Sequence, residues 1–219
     1  MNARSLVAAV LALGLVAAAS SAPSPAAQAG SALDQKVRAF LDEHAGRWRD
    51  MNVSEADGEI LYDLVIKGKY TRALEIGTST GHSGIWIAWA LSKTGGKLIT
   101  IDIDEGRYRE AVANFREAGL EAFIDARLAD AHELVPALPG PFDFVFCDAD
   151  KDWYENYFVA VLPKLVVGGC FAAHNVSPRM RGWGSGSFVE RVLSLPFMET
   201  SFAEGSWSGM SVSYKRAEK

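Results

Sequence analysis

Residues Leu74–Gly84 read LEIGTSTGHSG, and the reading of this stretch decides the fold. An apolar strand over Arg72–Ile76 ends on an acid, Glu75, and passes into a small-residue turn with glycines at Gly77 and Gly81. A helix is predicted from His82. Glycine suits such a turn because the chain bends sharply off the strand and a ligand approaches with no Cβ in its way. The first amides of the helix have no partner inside it, so the loop can hold a polar ligand. The spacing is G-x-x-x-G, unlike the G-x-G-x-x-G pattern that makes room for a pyrophosphate. A carboxylate at Glu75 repels phosphates and favours an ammonium group. A strained strand-to-helix turn with no ligand is the competing reading.

Working outward, short apolar segments alternate with helical ones. Further strands are predicted at Lys97–Ile101, Ala126–Ala129, Phe142–Cys147 and Gly169–Ala173. Helices are predicted at His82–Leu91, Glu105–Ala118 and Trp153–Lys164, with a short one at Ala131–Val135 that Pro136 stops. Before the turn, residues 31–46 form an amphipathic helix with Leu33, Val37, Phe40 and Leu41 on one side. A second helix spans Ser54–Lys67, where Ser54 and Asp57 make the cap. This alternation implies an α/β fold, a doubly wound parallel sheet covered on both faces. The tail differs: Phe197–Phe202 and Met210–Tyr214 read as a hairpin. The Gly182–Ser187 segment reads as a mobile loop, and no internal repeat is present.

The chain has 219 residues, and the first thirty resemble a targeting segment. Arg4 gives a positive start, Ser5–Ala19 is an Ala/Val/Leu run, and Ala27-Gln28-Ala29 before Gly30 fits a small-residue cleavage site. The run is too short for a comfortable membrane span. A signal over residues 1–29 followed by a domain at 31–219 places the protein outside the cytosol, exported or periplasmic. The alternative is an uncleaved membrane anchor that leaves the domain in the cytosol. Beyond residue 30 there are 21 basic and 27 acidic side chains, and no Lys/Arg cluster interleaves with aromatics. Nucleic acid is therefore not the expected partner, whereas a small molecule is. The two cysteines, Cys147 and Cys170, fall at opposite ends of neighbouring parallel strands, too far apart for a disulfide. Both read as small buried hydrophobes.

Ligands of doubly wound sheets sit at the carboxyl ends of the strands. Polar residues gather there: Glu75, Asp102, Asp148 and the pair His174-Asn175. Asp102, 25 residues beyond Gly77, can accept both ribose hydroxyls of a nucleoside. The alternative is an acid favoured by a helix N-terminus, a role that Asp104 and Glu105 already fill. With the ammonium preference at Glu75, this suggests S-adenosylmethionine. In Asp148-Ala149-Asp150-Lys151, acid and lysine can combine metal binding with a base, provided that the lysine loses its proton by desolvation or nearby positive charge. A solvated helix start with an Asp–Lys pair is the alternative. His44, His82 and His132 show no ligand spacing. Trp153, Trp183 and Trp207 could line an aromatic pocket or serve packing.

With these residues in hand, the chain resembles the class I, S-adenosylmethionine-dependent O-methyltransferases of the catechol and caffeoyl-CoA type from about Met51 to Tyr214. Met51-Asn52-Val53 with Gly58-Glu59-Ile60-Leu61, LEIGTSTGHS, Ile101-Asp102-Ile103-Asp104 and Ala129-Asp130-Ala131 all carry the resemblance. So do Asn114-Phe115 with Ala118-Gly119-Leu120, and Leu162-Pro163-Lys164-Leu165 with Gly168-Gly169. FDFVFCDADKDWYENY, Phe142–Tyr157, is the most specific match. The resemblance implies a Rossmann-like, seven-stranded sheet whose last strand is antiparallel. It assigns Val53, Glu75, Gly77, Thr78, Ser83, Asp102, Ala131 and Asp148 to the cofactor. Lys151 becomes the general base, and Asp148, His174 and Asn175 the metal ligands. By analogy a homodimer is expected.

Two departures accompany the match. Where the family usually has Asp-Asn after the fifth strand, this chain has His174-Asn175. Magnesium prefers oxygen donors, whereas imidazole suits zinc, iron, nickel or copper. A different divalent metal, weak magnesium binding and no metal are all open, and the expectation is a site that still binds some divalent cation. Export is the second departure, since the methyl donor is made in the cytosol. The leading expectation is O-methylation of a catechol-like small molecule. A metal-independent methyltransferase and an exported, non-catalytic binding protein on the same fold are the alternatives. A nicotinamide-dependent dehydrogenase ranks last, for want of a pyrophosphate loop.

Overall fold

In the computed structural model, which describes residues 25–178 and 185–218, seven strands form one sheet. In chain order they are β1 (Arg72–Ile76), β2 (Lys97–Asp102), β3 (Ile124–Leu128), β4 (Phe142–Cys147), β5 (Leu165–His174), β6 (Met198–Phe202) and β7 (Met210–Lys215). Their spatial order is β3-β2-β1-β4-β5-β7-β6. The first five are parallel, and β7 runs antiparallel between β5 and β6. The seven strands and the antiparallel last one are therefore as the resemblance implies. The order reverses between β1 and β4, which opens the ligand crevice of such sheets at their carboxyl ends.

Seven α-helices cover the sheet among the described residues: α1 (Pro25–His44), α2 (Glu55–Gly68), α3 (His82–Thr94), α4 (Glu105–Glu117), α5 (Ala131–Ala137), α6 (Tyr154–Val161) and α7 (Gly186–Ser194). Side chains alternate across a strand, so β1 sends Leu74 and Ile76 to one face and Ala73 and Glu75 to the other. Leu74 and Ile76 join Tyr154, Phe158, Phe171 and Phe188 under α6 and α7. Ala73 lies with Phe144, Phe146, Leu61, Val65 and Ile87 under α2 and α3. From His82 to Leu91 every residue of α3 is buried, because α1 and α4 cover the side that the sheet does not.

Several boundaries differ from the sequence reading. β3 starts at Ile124, and β5 starts at Leu165 rather than Gly169, with a shift of the β4–β5 register between Phe142 and Phe144. α5 passes through Pro136 to Ala137, since a proline this close to the end forfeits little, and Lys164 Nζ donates to the carbonyls of Val135 and Pro136. α1 begins at Pro25 and ends at His44. The helix predicted over Trp153–Lys164 is α6 flanked by 3₁₀ turns at Lys151–Trp153 and Leu162–Lys164. α7 occupies part of the predicted Gly182–Ser187 loop, whose residues 182–184 lie outside the described residues. Residues 1–24, most of the predicted leader, also lie outside them. Among the described residues no helix is long and apolar enough to cross a membrane. Cys170 pairs in register with Phe144 and Cys147 with Ala173, and both thiols are free and buried.

Candidate active site

The turn after β1 is held by the end of β2. Gly77, Ser79 and Gly81 have φ of +97°, +48° and +98°. The amides of Gly77 and Thr78 both donate to the Ile101 carbonyl, at 3.0 and 3.1 Å. Asp102 completes the clasp: Oδ2 accepts the Ser79 amide at 2.7 Å and Oδ1 the Asp104 amide at 2.9 Å. Each oxygen keeps a further lone pair that hydroxyls can reach. A Cβ on Gly77 would lie 2.4 Å from the Asp148 carbonyl, so glycine here lets the loops after β1 and β4 approach across the switch point.

Glu75 lies beneath this turn rather than open to the crevice. It faces α3, is wholly buried, and accepts a 2.6 Å hydrogen bond from Thr100 Oγ1 on Oε2. Thr100 has only one hydroxyl hydrogen, so Thr78 is the donor in the 2.5 Å Thr78–Thr100 contact. Burial lifts the Glu75 carboxyl to about 7, against the pull of the Ser83 and Thr100 hydroxyls. Ser83 lies in the first turn of α3, whose N-cap, Gly81, offers no side-chain acceptor.

Val53 reaches the same place through His82. Trp86 Nε1 donates to His82 Nε2 at 3.1 Å, which leaves the ring hydrogen on Nδ1 to donate to the Val53 carbonyl at 3.0 Å. Burial depresses His82 to about 4, outweighing that backbone bond, and Trp48 stacks on the ring with centroids 4.3 Å apart. Asn52 Nδ2 donates to Thr80 Oγ1 at 2.7 Å and ties the segment to the turn. A cavity of about 240 Å³ opens beside Trp48, Val53, His82 and Trp86.

Across the switch point a second group gathers. Lys151 Nζ donates to Asp148 Oδ1 at 2.5 Å and to Tyr154 Oη at 2.7 Å, and Tyr154 donates to the His174 carbonyl at 3.2 Å. His174, at the end of β5, lies between two carboxylates: Nδ1 is 3.0 Å from Asp148 Oδ2 and Nε2 3.2 Å from Asp57 Oδ2. Burial opposes charge on His174, but hydrogen bonds to Asp148 and Asp57 prevail and hold it at about 9. Burial likewise works against the Asp57 carboxylate, yet His174, Ser206 and Ser54 hold it down at about 2. Burial of Asp148 is outweighed in the same way by His174 and Lys151, so its carboxyl is lowered.

Ala131 opens α5 beside this group. Its neighbour His132 stacks on Trp153 with centroids 3.7 Å apart, and His132 Nε2 lies 3.0 Å from Asp150 Oδ2. Asn175 adopts φ +54° next to His174. Trp207 is 96% exposed, and Trp183 lies outside the described residues. The predicted residues thus form two hydrogen-bonded groups: Glu75, Thr78, Asp102 and the turn on one side, Asp148, Lys151 and His174 on the other. Asp57, His82, Tyr154 and Asn52 are additions. Asp57 shows in the sequence only as a cap partner, although an acid one turn beyond Val53 in the same segment was a signal that it faced the site.

This strand order, with a glycine turn after β1 and an acid at the end of β2, defines the class I methyltransferase architecture. A model of the O-methyltransferase family matches residues 25–180. The chain belongs to that family, the S-adenosylmethionine-dependent group related to catechol and caffeoyl-CoA O-methyltransferases. A catechol O-methyltransferase of Niastella koreensis is 37% identical over 130 residues, 58% of this chain and 58% of the relative. A caffeoyl-CoA O-methyltransferase of Stellaria longipes is 32% identical over 165 residues, 72% of this chain and 63% of the relative. The chain therefore spans less than two thirds of the length of these curated relatives. An O-methyltransferase from Bacillus cereus, solved in complex with SAH, superposes with a TM-score of 0.68 at 25% identity, covering 85% of this chain and 91% of that one. Rv0187 from MTB, solved with its cofactor, shares the fold with a TM-score of 0.70 at 22% identity, covering 90% and 92%.

Proposed function

We propose that this protein transfers a methyl group from S-adenosylmethionine to a hydroxyl of a small, catechol-like aromatic molecule. The observation that carries the reading is the meeting of the Asp102-clasped glycine turn with the Asp148–Lys151 pair across the switch point. The donor set suits the cofactor. Beyond His82, whose amide donates to Asn52, the first turn of α3 offers amides to a carboxylate, Asp102 keeps lone pairs for ribose hydroxyls, and Asp148 is an acid for an ammonium group. Gly77, Thr78 and Ser83 line the turn, Glu75 supports it from below, and Val53 and Ala131 flank it. When bound, S-adenosylmethionine supplies an electrophilic methyl group.

Lys151 is the proposed base. A neutral Nζ keeps two hydrogens for Asp148 and Tyr154 and turns its lone pair toward the acceptor hydroxyl, whose proton it takes. The Asp148 and Tyr154 bonds fix where that lone pair points. A divalent cation, expected from the sequence at Asp148, His174 and Asn175, does not fit Asp148 and His174 as they are engaged, and no step is assigned to it. The test is Lys151→Ala with S-adenosylmethionine and a catechol panel. Methyl transfer is expected to fall by about 10²-fold or more while calorimetric cofactor binding persists. Full activity in that variant would sink the base assignment. Cofactor binding by the unaltered protein with no transfer to any acceptor would favour the binding-protein reading.

Export directed by residues 1–29 is the proposed location, supported by the basic start, apolar run and cleavage motif of the leader. An anchored, cytosolic domain is the second reading, favoured by α1 running from Pro25 through the cleavage motif. Mass spectrometry of fractionated cells separates a chain beginning near Gly30 from an intact, membrane-bound one.

A further inference from the structure

Two of the side chains that the resemblance assigns to a cation, Asp148 and His174, face each other. A histidine binds a metal through the lone pair of one ring nitrogen. Both nitrogens of His174 instead face carboxylate oxygens, Asp148 Oδ2 at 3.0 Å and Asp57 Oδ2 at 3.2 Å. Ionised carboxylates only accept, so both contacts are hydrogen bonds only if each nitrogen carries a hydrogen. That species is the imidazolium. Asp148 Oδ1 is taken by Lys151, and Asp57 Oδ2 also accepts from Ser54 Oγ at 2.7 Å. Asp57, His174 and Asp148 thus converge on one another, and among the described residues no group of three such side chains is arranged around an ion.

Charge and burial point the same way. Asp57 is wholly buried and His174 only 5% exposed. A buried carboxylate is tolerated when a partner compensates it, and His174 is that partner for Asp57. At rest, before Lys151 gives up a proton to act as base, two carboxylates face one imidazolium and one ammonium, so the resting group is balanced without a further cation. A divalent ion would have to break the His174 bonds and enter beside two positive side chains.

We propose that the Asp57–His174–Asp148 relay takes the place of a divalent cation, with His174 as the fixed positive charge at the strand ends and Asp57 as the residue that positions it. This rests on the methyltransferase reading for its catalytic meaning, though the exclusion of metal can be measured without turnover.

The experiment titrates Mn²⁺ into the full chain and follows the free ion by electron paramagnetic resonance, with S-adenosylmethionine binding measured separately by calorimetry. The unaltered protein is expected to bind no Mn²⁺ in the micromolar range. H174D, which leaves three carboxylates together, is expected to gain binding at least tenfold. Methyl transfer by the unaltered protein should change less than twofold on adding chelator, whereas that of H174D should become chelator-sensitive. D57N should lower kcat about tenfold or more with KM held, and D57E should recover part of it. Micromolar Mn²⁺ binding by the unaltered protein that disappears in H174A would overturn the proposal, as would chelator-sensitive turnover of the unaltered protein. If H174D fails to fold, the two measurements on the unaltered protein decide alone. Failure to bind S-adenosylmethionine would instead remove the functional reading and leave the Mn²⁺ result standing.

Discussion

Gly77 shows how much of this site depends on a single missing atom. Its φ of +97° lies in the left-handed region, and a Cβ would press on the Asp148 carbonyl. Gly77→Ala should cost about 2 kcal/mol or more from the strained backbone. It should also part the loops after β1 and β4 and weaken cofactor binding. Urea unfolding with calorimetric titration checks both; an unchanged midpoint with unchanged affinity would show that the loops separate freely. Gly77 and Asp102 are legible in the sequence because each sits at a fixed offset from a strand end. Asp57 and His174 are different: 117 residues separate them, and no local pattern announces their contact. The role of His82 is hidden for a similar reason, since its tautomer is set by Trp86 and by the carbonyl of Val53.

Among the elements, α2 couples local stability to the site. Its N-cap, Ser54, accepts the Asp57 amide at 3.1 Å while its hydroxyl donates to Asp57 Oδ2 at 2.7 Å. Ser54→Ala should therefore cost about 1 kcal/mol for the lost cap. It should also leave Asp57 held by fewer donors, so a loss of turnover beyond the loss of folded protein is expected. Chemical unfolding beside kcat measured at equal folded concentration distinguishes the two effects; a purely proportional change would reduce Ser54 to a cap. This cap was readable from Ser54 and Asp57, as were β1 and β4 to the residue. α7 was not, because it begins inside the Gly/Ser run of residues 182–187, and Phe188, Val189 and Val192 acquire meaning only against Phe158 and Phe171. The start of β5 was hidden by a register shift that leaves Gly168-Gly169 resembling a turn.

At the scale of the whole molecule, two buried groups beside the β1 turn give stability opposing dependences on pH. His82 is depressed from 6.5 to about 4, so its contribution is present above pH 6.5 and is lost as pH falls through 4. Glu75 is raised from 4.5 to about 7, so its contribution is present below pH 4.5 and is lost as pH rises through 7. Each shift corresponds to roughly 3 kcal/mol, and over the same interval the two slopes have opposite sign. Stability should therefore stay nearly level between about pH 4.5 and 6.5. Below that range Asp57, held at about 2, and the lowered Asp148 begin to take up protons and destabilise the fold. Above it, His174 is raised from 6.5 to about 9, so stability falls as pH rises through 9. Glu75→Gln removes one of the compensating slopes and should turn the level region into a steep loss between pH 6.5 and 4. Urea midpoints measured across pH for both proteins check this. Parallel profiles would mean that the Glu75 carboxyl does not change protonation beneath the turn, and that the polarity of the turn rests on Thr78, Thr100 and Asp102 alone.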